Sequence, residues 1–263
     1  MDGRMKYKIL LLASSPAFLI KKQLEQLSGF EDKLILMNNW NNPDTELYVK
    51  EFARRGAEAY NCYYNAGIAT SWNFGLKRIM QDSDDYIIIL SASMILNQDI
   101  GHFISFIEED IMTHNTPGCL YLRNGDKPFH YFGITQRGIQ TIGFFDENFW
   151  PAYYEDRDYL YRIKLLSLPR DIVIIDTSNL SYAQGNSLAI NSDTGLMSLY
   201  QYNIVRITDY YQRKWGGPLD KEVYRRPFND PNAMINSWYI EKPFHHPILN
   251  DINFLPSQPI IRY

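Results

Sequence analysis

The sequence is poor in cysteine and has no long apolar run. It contains two cysteines in 263 residues, too few for the disulfide framework of a small secreted domain. We therefore expect Cys62 and Cys119 to be free, buried thiols in a reducing compartment. No stretch approaches the roughly 20 apolar residues of a membrane-spanning helix, and the run Ile9–Ala13 is too short for a signal peptide. We expect no membrane span and a cytoplasmic protein, in the host cytoplasm if the source is viral.

An excess of positive charge is also missing. Lysine and arginine total 26 against 30 acidic residues, which gives a formal net charge of −4. No broad basic surface for a nucleic-acid backbone is therefore visible. Hydrophobic residues make up 45% of the chain and charged residues 21%, as in packed globular proteins. The length suits one large domain, or one domain with a C-terminal extension.

Two common nucleotide-binding loops are absent. No G-x-G-x-x-G follows the first apolar run, which disfavours a dinucleotide-binding oxidoreductase. The residues after that run are Ser14-Ser15-Pro16-Ala17. They lack the glycines and basic residues of the first loop of a sugar nucleotidyltransferase, so that class is also disfavoured.

Short apolar runs alternate with helical patterns in the first half of the chain. This order predicts an α/β fold with a mostly parallel central sheet and helices on both faces. Such sheets bind ligands beyond the carboxyl ends of their strands. The expected strands are Lys8–Ala13, Lys33–Met37, Ala57–Tyr63 and Tyr86–Leu90. The small polar segments that follow them are Ser14-Ser15, Asn38–Asn42, Asn65–Gly67 and Ser91–Ser93.

The second half mixes strands, helices and an aromatic loop. We expect strands at Cys119–Leu122, Phe129–Thr135 and Ile172–Ile175, and helices at Glu155–Leu166 and Ser198–Gln212. The predicted domain covers residues 1–216, with a nucleotide-binding half at 1–115 and an acceptor half at 116–216. Residues 217–263 are predicted to form a C-terminal extension packed on this domain.

Three acidic residues crowd the predicted start of a helix. Glu155, Asp156 and Asp158 follow the aromatic segment Gly143–Tyr154. A helix dipole stabilises negative charge at this end, so capping alone is one explanation. The other explanation is a set of carboxylates that binds and deprotonates a substrate. Neighbouring tyrosines would give such a carboxylate the partly desolvated environment that a general base needs.

The order of the motifs resembles that of the large inverting glycosyltransferase family 2, whose members have the GT-A (nucleotide-diphospho-sugar transferase) fold. The resemblance covers roughly residues 5–216. Its segments are Asn65-Ala66-Gly67, Asn73-Phe74-Gly75, Asp85-Tyr86-Ile87 with Leu90-Ser91-Ala92-Ser93, Gly143-Phe144-Phe145-Asp146-Glu147, Glu155-Asp156-Arg157-Asp158 with Arg162, and Tyr210–Gly216.

The resemblance implies a hexosyl- or pentosyltransferase that moves a sugar from a nucleotide-sugar donor, by default UDP-linked, to an acceptor hydroxyl with inversion. Asp156 matches the general base, and Glu155 and Asp158 would orient acceptor or donor groups. The donor contacts implied are Ser14, Ser15, Asn39, Asn73, Asp85, Ser91, Ser93 and Lys214. The aromatic loop next to the acids predicts acceptor contacts at Trp150, Tyr153 and Tyr154.

The D-x-D motif of the family is missing, because Ser91 and Ser93 stand at its two acidic positions. Its carboxylates normally help to hold a divalent cation, Mn²⁺ or Mg²⁺, and hydroxyls replace them poorly. Three explanations stay open: transfer without metal, in which Lys or Arg stabilises the diphosphate; a metal held by other ligands, such as His245 or His246 with Asp85; or loss of catalysis. We favour transfer without metal, and surface-loop histidines are the better interpretation of His245 and His246.

A second function is compatible with the missing motif. It is a non-catalytic GT-A module that binds a nucleotide sugar or a glycan. For an enzyme, a polysaccharide, a protein glycan and a modified base in viral DNA are all candidate acceptors. The negative net charge weighs against nucleic acid without excluding it.

Overall fold

The computed structural model describes most of the chain. The described residues are 5–13, 17–39, 43–62, 65–91, 94–96, 100–124, 128–168, 171–175, 181–183, 194–236 and 261–262. The predicted site residues Ser14, Ser15, Ser93, His245 and His246 lie outside these ranges.

Ten strands are described. They are β1 (Tyr7–Leu12), β2 (Leu34–Asn38), β3 (Glu58–Asn61), β4 (Tyr86–Leu90), β5 (Met94–Leu96), β6 (Leu120–Arg123), β7 (Tyr131–Thr135), β8 (Ile172–Ile175), β9 (Ser181–Ala183) and β10 (Ile261–Arg262). Eight of them form the central sheet, in the order β10-β3-β2-β1-β4-β7-β6-β8, and β5 pairs with β9 in a separate two-stranded sheet. Strands β1 to β4 are joined in parallel, whereas β7 runs antiparallel between β4 and β6.

Helices cover both faces of the sheet. They are α1 (Ala17–Gln26), α2 (Pro43–Arg54), α3 (Ile68–Asp82), α4 (Gly101–Thr113), α5 (Gln136–Ile142), α6 (Glu155–Leu165) and α7 (Thr194–Trp215). In β1, Ile9 and Leu11 pack in one core with α1, α2 and α4, whereas Leu10 and Leu12 pack in the other with α3, α5 and α6. Side chains of a strand alternate between faces, so a continuous apolar run supplies both cores.

The structure confirms the predicted α/β architecture with a mostly parallel sheet. The short helix α5 and the strands β5 and β9 were not expected from the pattern. In α5 the Thr135 hydroxyl caps the helix by accepting a hydrogen bond from the Gly138 N–H at 3.1 Å. A Cβ at Gly138 would lie 2.2 Å from the Cys119 carbonyl oxygen, so this glycine allows a close approach of helix and strand that the sequence pattern does not reveal.

Residues 217–236 pack against the end of α7 and against α6. The backbone N–H groups of Val223 and Tyr224 donate to the Trp215 carbonyl at 3.0 and 2.9 Å, and the Tyr161 hydroxyl donates to the Tyr224 carbonyl at 2.9 Å. The division of the chain into a domain at 1–216 and an extension at 217–263 stays a prediction.

Both cysteines are free and buried, as the sequence predicts. Burial raises the pKa of the Cys62 thiol to about 11, which keeps it protonated and unreactive at neutral pH. Within the described ranges, no helix combines the length and the apolar character needed to cross a membrane.

Candidate active site

Polar side chains meet beyond the carboxyl ends of β2 and β3. Asn39, which follows β2, accepts a hydrogen bond from the Ala66 N–H at 3.0 Å and donates through Nδ2 to Asn65 Oδ1 at 3.2 Å. The same oxygen of Asn65 accepts from the Gly67 N–H at 2.9 Å. The loop after β3 is thereby fixed against the loop after β2, at the edge where a parallel sheet binds its ligands.

The aromatic loop, residues 143–154, reaches this edge through Trp150 and Pro151. The Trp150 indole N–H donates to the Asn65 carbonyl at 2.7 Å, and the Ile68 N–H donates to the Pro151 carbonyl at 2.9 Å. Gly67 has a φ of +85°, and a Cβ there would lie 2.8 Å from Trp150 Cδ1. Only glycine fits both the backbone conformation and the space, so the contact depends on this residue.

The acidic cluster begins directly after that contact. Tyr153 and Tyr154 both have positive φ angles, 75° and 71°, and α6 starts at Glu155. Left-handed conformations are uncommon for bulky residues and cost of order 1–3 kcal/mol each. They turn the chain sharply before the helix, and Pro151 lies five residues before Asp156. Five residues span at most about 18 Å, so this is the greatest distance between Asp156 and the Pro151 contact at that edge.

The two tyrosines have different surroundings. The Tyr153 ring lies 4.6 Å from that of Tyr200 on α7, and burial, followed by the fields of Tyr200 and Glu155, raises the pKa of Tyr153 to about 12. Tyr154 stacks on Phe149 and packs against Tyr211. Both rings are half-buried, so each keeps surface that a ligand can contact.

The three acids do not share one environment. Asp156 is half-exposed, and its Oδ1 accepts a hydrogen bond from the Arg157 N–H at 2.8 Å. Glu155 is buried, with 5% of its surface exposed. Burial, reinforced by the charge of Asp156, raises the pKa of Glu155 well above its usual range, although backbone amides at Glu155 and Tyr153 oppose the shift. Asp158 is fully buried.

Asp158 belongs to a buried ionic network with Asp146, Arg162 and Lys214. The Lys214 ammonium lies 2.6 Å from an oxygen of Asp146 and 2.7 Å from one of Asp158, and Arg162 Nε lies 3.0 Å from the second oxygen of Asp158. Burial opposes ionisation, but Lys214 and Arg162 together hold the pKa of Asp158 below its ordinary value. The network joins the aromatic loop, α6 and the end of α7.

Hydrogen bonds with neutral groups complete the network. The Tyr210 hydroxyl donates to Asp146 at 2.8 Å, and the Trp215 indole N–H donates to Asp158 at 2.8 Å. Arg162 donates through its two terminal nitrogens to the carbonyls of Ile142 and Phe144, each at 2.8 Å. A buried ion pair needs such additional hydrogen bonds to offset desolvation, and here they also fix the backbone on which the acids are mounted.

Besides Asn39, which is 3% exposed, two more residues predicted to contact the nucleotide-sugar donor are buried against structural partners. Asn73 is fully buried and binds the backbone of Phe145 through both its amide nitrogen and its oxygen, each at 2.8 Å, as well as Glu147. Lys214 is 1% exposed. Asn73 and Lys214 therefore support the aromatic loop, and neither exposes a polar group to a bound nucleotide.

Asp85 lies at the wrong edge of the sheet for a donor contact. It immediately precedes β4, where its carboxylate accepts from the Lys6 N–H at 2.8 Å. Ser91 directly follows β4 and lies at the edge of Asn39. Five strand residues lie between Asp85 and Ser91, so their Cα atoms are six rises, about 20 Å, apart. This correction follows from strand direction, and it removes Asp85 as a partner for a metal at that edge.

The described residues do not fit a divalent cation. No group of three or more His, Cys, Asp or Glu side chains within them could hold a metal ion. Ser91 offers a hydroxyl where a hard cation prefers carboxylate, and its carbonyl accepts from Gln23 Nε2 at 3.0 Å.

Sequence reasoning assigned no role to several residues that build this region. Asp146 and Arg162 stand in the resembling motifs, but only the structure shows that they anchor the loop. No motif marks Arg206 on α7. Its guanidinium donates to the Trp150 carbonyl at 2.6 Å, and burial lowers its pKa. No spacing in the sequence signals a contact between residues 150 and 206.

Comparison with known proteins finds a relative that matches part of the chain and solved structures with a similar fold. No family model matches the sequence. Part of the chain is similar to a galactofuranosyl glycosyltransferase of Leishmania donovani, with 41% identity over 128 residues that cover 42% of this chain and 29% of the relative. The chain therefore spans less than a third of the curated relative that it matches.

Solved structures of S. aureus TarS are similar in fold. A crystal structure of its residues 1–349 superposes with a TM-score of 0.51 at 14% identity, covering 76% of this chain and 66% of that one. A second TarS structure gives a TM-score of 0.50 at 13% identity, with 76% of this chain and 40% of that one covered. The chain has a GT-A fold. At such low identity the likeness extends to the fold alone.

Proposed function

We propose that the chain is a glycosyltransferase that moves a sugar from a nucleotide-sugar donor, UDP-linked by default, to an acceptor hydroxyl with inversion. The observation that carries this proposal is the placement of the acids. Two left-handed tyrosines turn the chain into α6 directly after Trp150 has contacted the loop beyond β3. Strain of this kind persists only where the surrounding structure holds it, and it clusters at functional sites.

Asp156 is the proposed general base. It is half-exposed, whereas Asp158 is held in the buried network, so Asp156 can reach a bound substrate. Its carboxylate takes the proton of the acceptor hydroxyl while that oxygen forms a bond to the anomeric carbon. The bond from that carbon to the donor diphosphate breaks on the opposite face, and the nucleoside diphosphate leaves with the electron pair. The configuration is thereby inverted.

The other predicted site residues are proposed either to contact the substrates or to position the residues that do. Ser91 after β4 is the proposed donor contact among the described residues, because Asn39, like Asn73, is buried and hydrogen-bonded through both ends of its amide. Trp150, Tyr153 and Tyr154 line the proposed acceptor side. We reassign Asp158 and Lys214 to positioning, because their charged groups are buried against each other. Transfer without metal is the mechanism that the serine at position 91 favours.

The test measures nucleoside diphosphate release from a panel of nucleotide sugars, with and without chelator, in the presence of simple glycosides. We expect Asp156→Asn to lower kcat about 100-fold or more, the usual contribution of a general base, with little effect on folding because residue 156 is half-exposed. Asp209→Asn is the matched control, since Asp209 is an exposed helical acid paired with Arg213. Undiminished turnover by Asp156→Asn would exclude Asp156 as the base.

A second function, a non-catalytic module that binds a nucleotide sugar or glycan, is favoured by the serines in the D-x-D positions. The same assay separates the two functions. Donor turnover by the wild type above the rate without protein excludes the inert module, whereas saturable donor binding without turnover supports it.

A further inference from the structure

One half-buried arginine has no acidic partner in the described part of the chain. Arg123 is the last residue of β6. Its Nε is buried without a hydrogen-bond acceptor, and its Nη1 lies 3.8 Å from the sulfur of Met94, which is a weak acceptor. Burial lowers the pKa of the guanidinium, and no carboxylate opposes that shift. Because buried charges in proteins are normally paired, we expect an anion to reach Arg123 with a ligand.

The direction of the strands brings Arg123 to the same edge of the sheet as Ser91. Strands β4 and β6 both run antiparallel to β7, which lies between them. Their carboxyl ends therefore lie side by side, separated by two strand spacings, or about 10 Å. Sheets of this class bind their ligands beyond the carboxyl ends of the strands, so Arg123 lies on the side of the sheet where a ligand is expected.

Arg123 also contacts the segment that carries the D-x-D positions. Met94 directly follows Ser91-Ala92-Ser93 in the sequence. The Met94 N–H donates to the Ser91 carbonyl at 3.0 Å, and the Gln23 amide of α1 donates to the carbonyls of both residues. The contact with Arg123 is therefore made to a segment that hydrogen bonds hold in place. Serines at positions 91 and 93 add no negative charge there, so they do not neutralise the charge of Arg123.

We propose that the guanidinium of Arg123 binds the diphosphate of the nucleotide-sugar donor and supplies the positive charge that a metal ion supplies where a D-x-D motif is present. A guanidinium offers a planar fork of N–H donors that fits phosphate oxygens. When the bond from the anomeric carbon to the diphosphate breaks, the leaving oxygen takes the electron pair, and Arg123 stabilises the negative charge that develops. The inference rests on the proposed function for the identity of the anion.

The experiment is isothermal titration calorimetry of the full chain in EDTA. The probes are UDP, GDP, ADP, CDP and TDP, and the one that binds most tightly is compared with its nucleoside and with inorganic phosphate. We expect the wild type to bind the diphosphate about tenfold or more tightly than the nucleoside without metal, because charge-assisted hydrogen bonds are gained. Inorganic phosphate that binds as tightly as the nucleoside diphosphate would show a site for a free anion and would overturn the inference.

Variants at position 123 connect this difference to the guanidinium. Arg123→Met should bind the diphosphate about tenfold or more weakly than the wild type and the nucleoside equally well. Arg123→Lys keeps the charge without the fork and should retain part of the affinity. Arg137→Met is the matched control and should behave as the wild type, because Arg137 is exposed, pairs with Asp171 and follows β7 at the opposite edge of the sheet.

Three results would overturn the inference. They are unchanged diphosphate affinity in Arg123→Met, an equal loss of affinity for the nucleoside and the diphosphate, and diphosphate binding by the wild type that requires Mn²⁺. Failure of the proposed function looks different. Donor turnover that depends on Asp156 but not on Arg123 leaves the transferase function and removes this contact. Diphosphate binding that depends on Arg123, in a wild type that turns over no donor, leaves a nucleotide-binding module and removes the transferase function.

Discussion

Replacing Lys214 by methionine tests whether the buried network holds the active loop in place. The methionine is similar in length and keeps the apolar contacts of the stem, but it removes the charge that lies 2.6 and 2.7 Å from Asp146 and Asp158. Arg162 still pairs with Asp158, whereas Asp146 keeps only neutral donors such as Tyr210 among the contacts described here. One buried carboxylate then loses its counter-charge.

The expected loss of stability is large. Removing one partner of a buried ion pair costs about 3–5 kcal/mol, and in a chain of this size each kcal/mol lowers Tm by roughly 2–4 °C. We expect Lys214→Met to melt about 10 °C below the wild type at pH 7. Because the network holds the aromatic loop against α6 and α7, turnover of the nucleotide-sugar donor should also fall at temperatures where the variant is folded.

The assay is thermal unfolding followed by circular dichroism, across pH. Arg213→Met is the matched control: it removes an exposed ion pair with Asp209 in the same helix turn, worth about 0.5 kcal/mol or less. Lys214 and Arg162 lower the pKa of Asp158 against the effect of burial. The stability that the ionised Asp158 contributes is therefore present above the ordinary aspartate pKa of 3.8 and is lost as the pH falls below it. The gap between Lys214→Met and the wild type should therefore narrow below about pH 4. Equal Tm values for the two methionine variants at pH 7 would refute the reasoning.

Two further predictions concern the start of α6 and the loop after β3. Glu155→Gln should stabilise the protein at neutral pH. Because the pKa of Glu155 is raised in the folded protein, the protonated side chain stabilises the fold below the ordinary glutamate pKa of 4.5, and this stabilisation is lost as the pH rises. The Tm gain should vanish near pH 4, and a gain independent of pH would contradict this account. Gly67→Ala should lower both stability and turnover, since its Cβ would press on Trp150. Gly29→Ala, with a φ of +95° but nothing within 4 Å, should lose only about 1–2 kcal/mol of stability through backbone strain and keep full turnover.

The pattern of the chain predicts the framework well because that framework depends on local signals. The run Tyr86–Leu90 is apolar at every position, and all five residues are buried in the structure, as a strand covered on both faces requires. The acids at 155, 156 and 158 also mark a helix start correctly, since negative charge is stabilised there by the helix dipole. Helix α5 was missed because its interior glycine weakens the helical pattern, and its reason is a contact with Cys119 far along the chain.

The candidate site shows where local signals end. Adjacency in sequence suggests that Glu155, Asp156 and Asp158 act together, and the family resemblance implies that Lys214 and Asn73 contact the donor. Tertiary packing separates their roles. Asp158 and Lys214 neutralise each other inside the protein, Asn73 holds the backbone of Phe145, and Glu155 is buried beside a half-exposed Asp156. Burial and partner choice depend on residues distant in the chain, which no spacing rule contains.

The amino-acid pattern alone accounts for the alternation of strands and helices, the position of the polar edge and the acidic start of α6, because periodicity, turn residues and helix-end electrostatics act over a few residues. Packing between distant segments sets which charges are buried against each other and which carboxylate is accessible. Those properties arise where α6, α7 and the aromatic loop pack together, and the free energy of a charge depends on that surrounding medium more than on its neighbours in the chain.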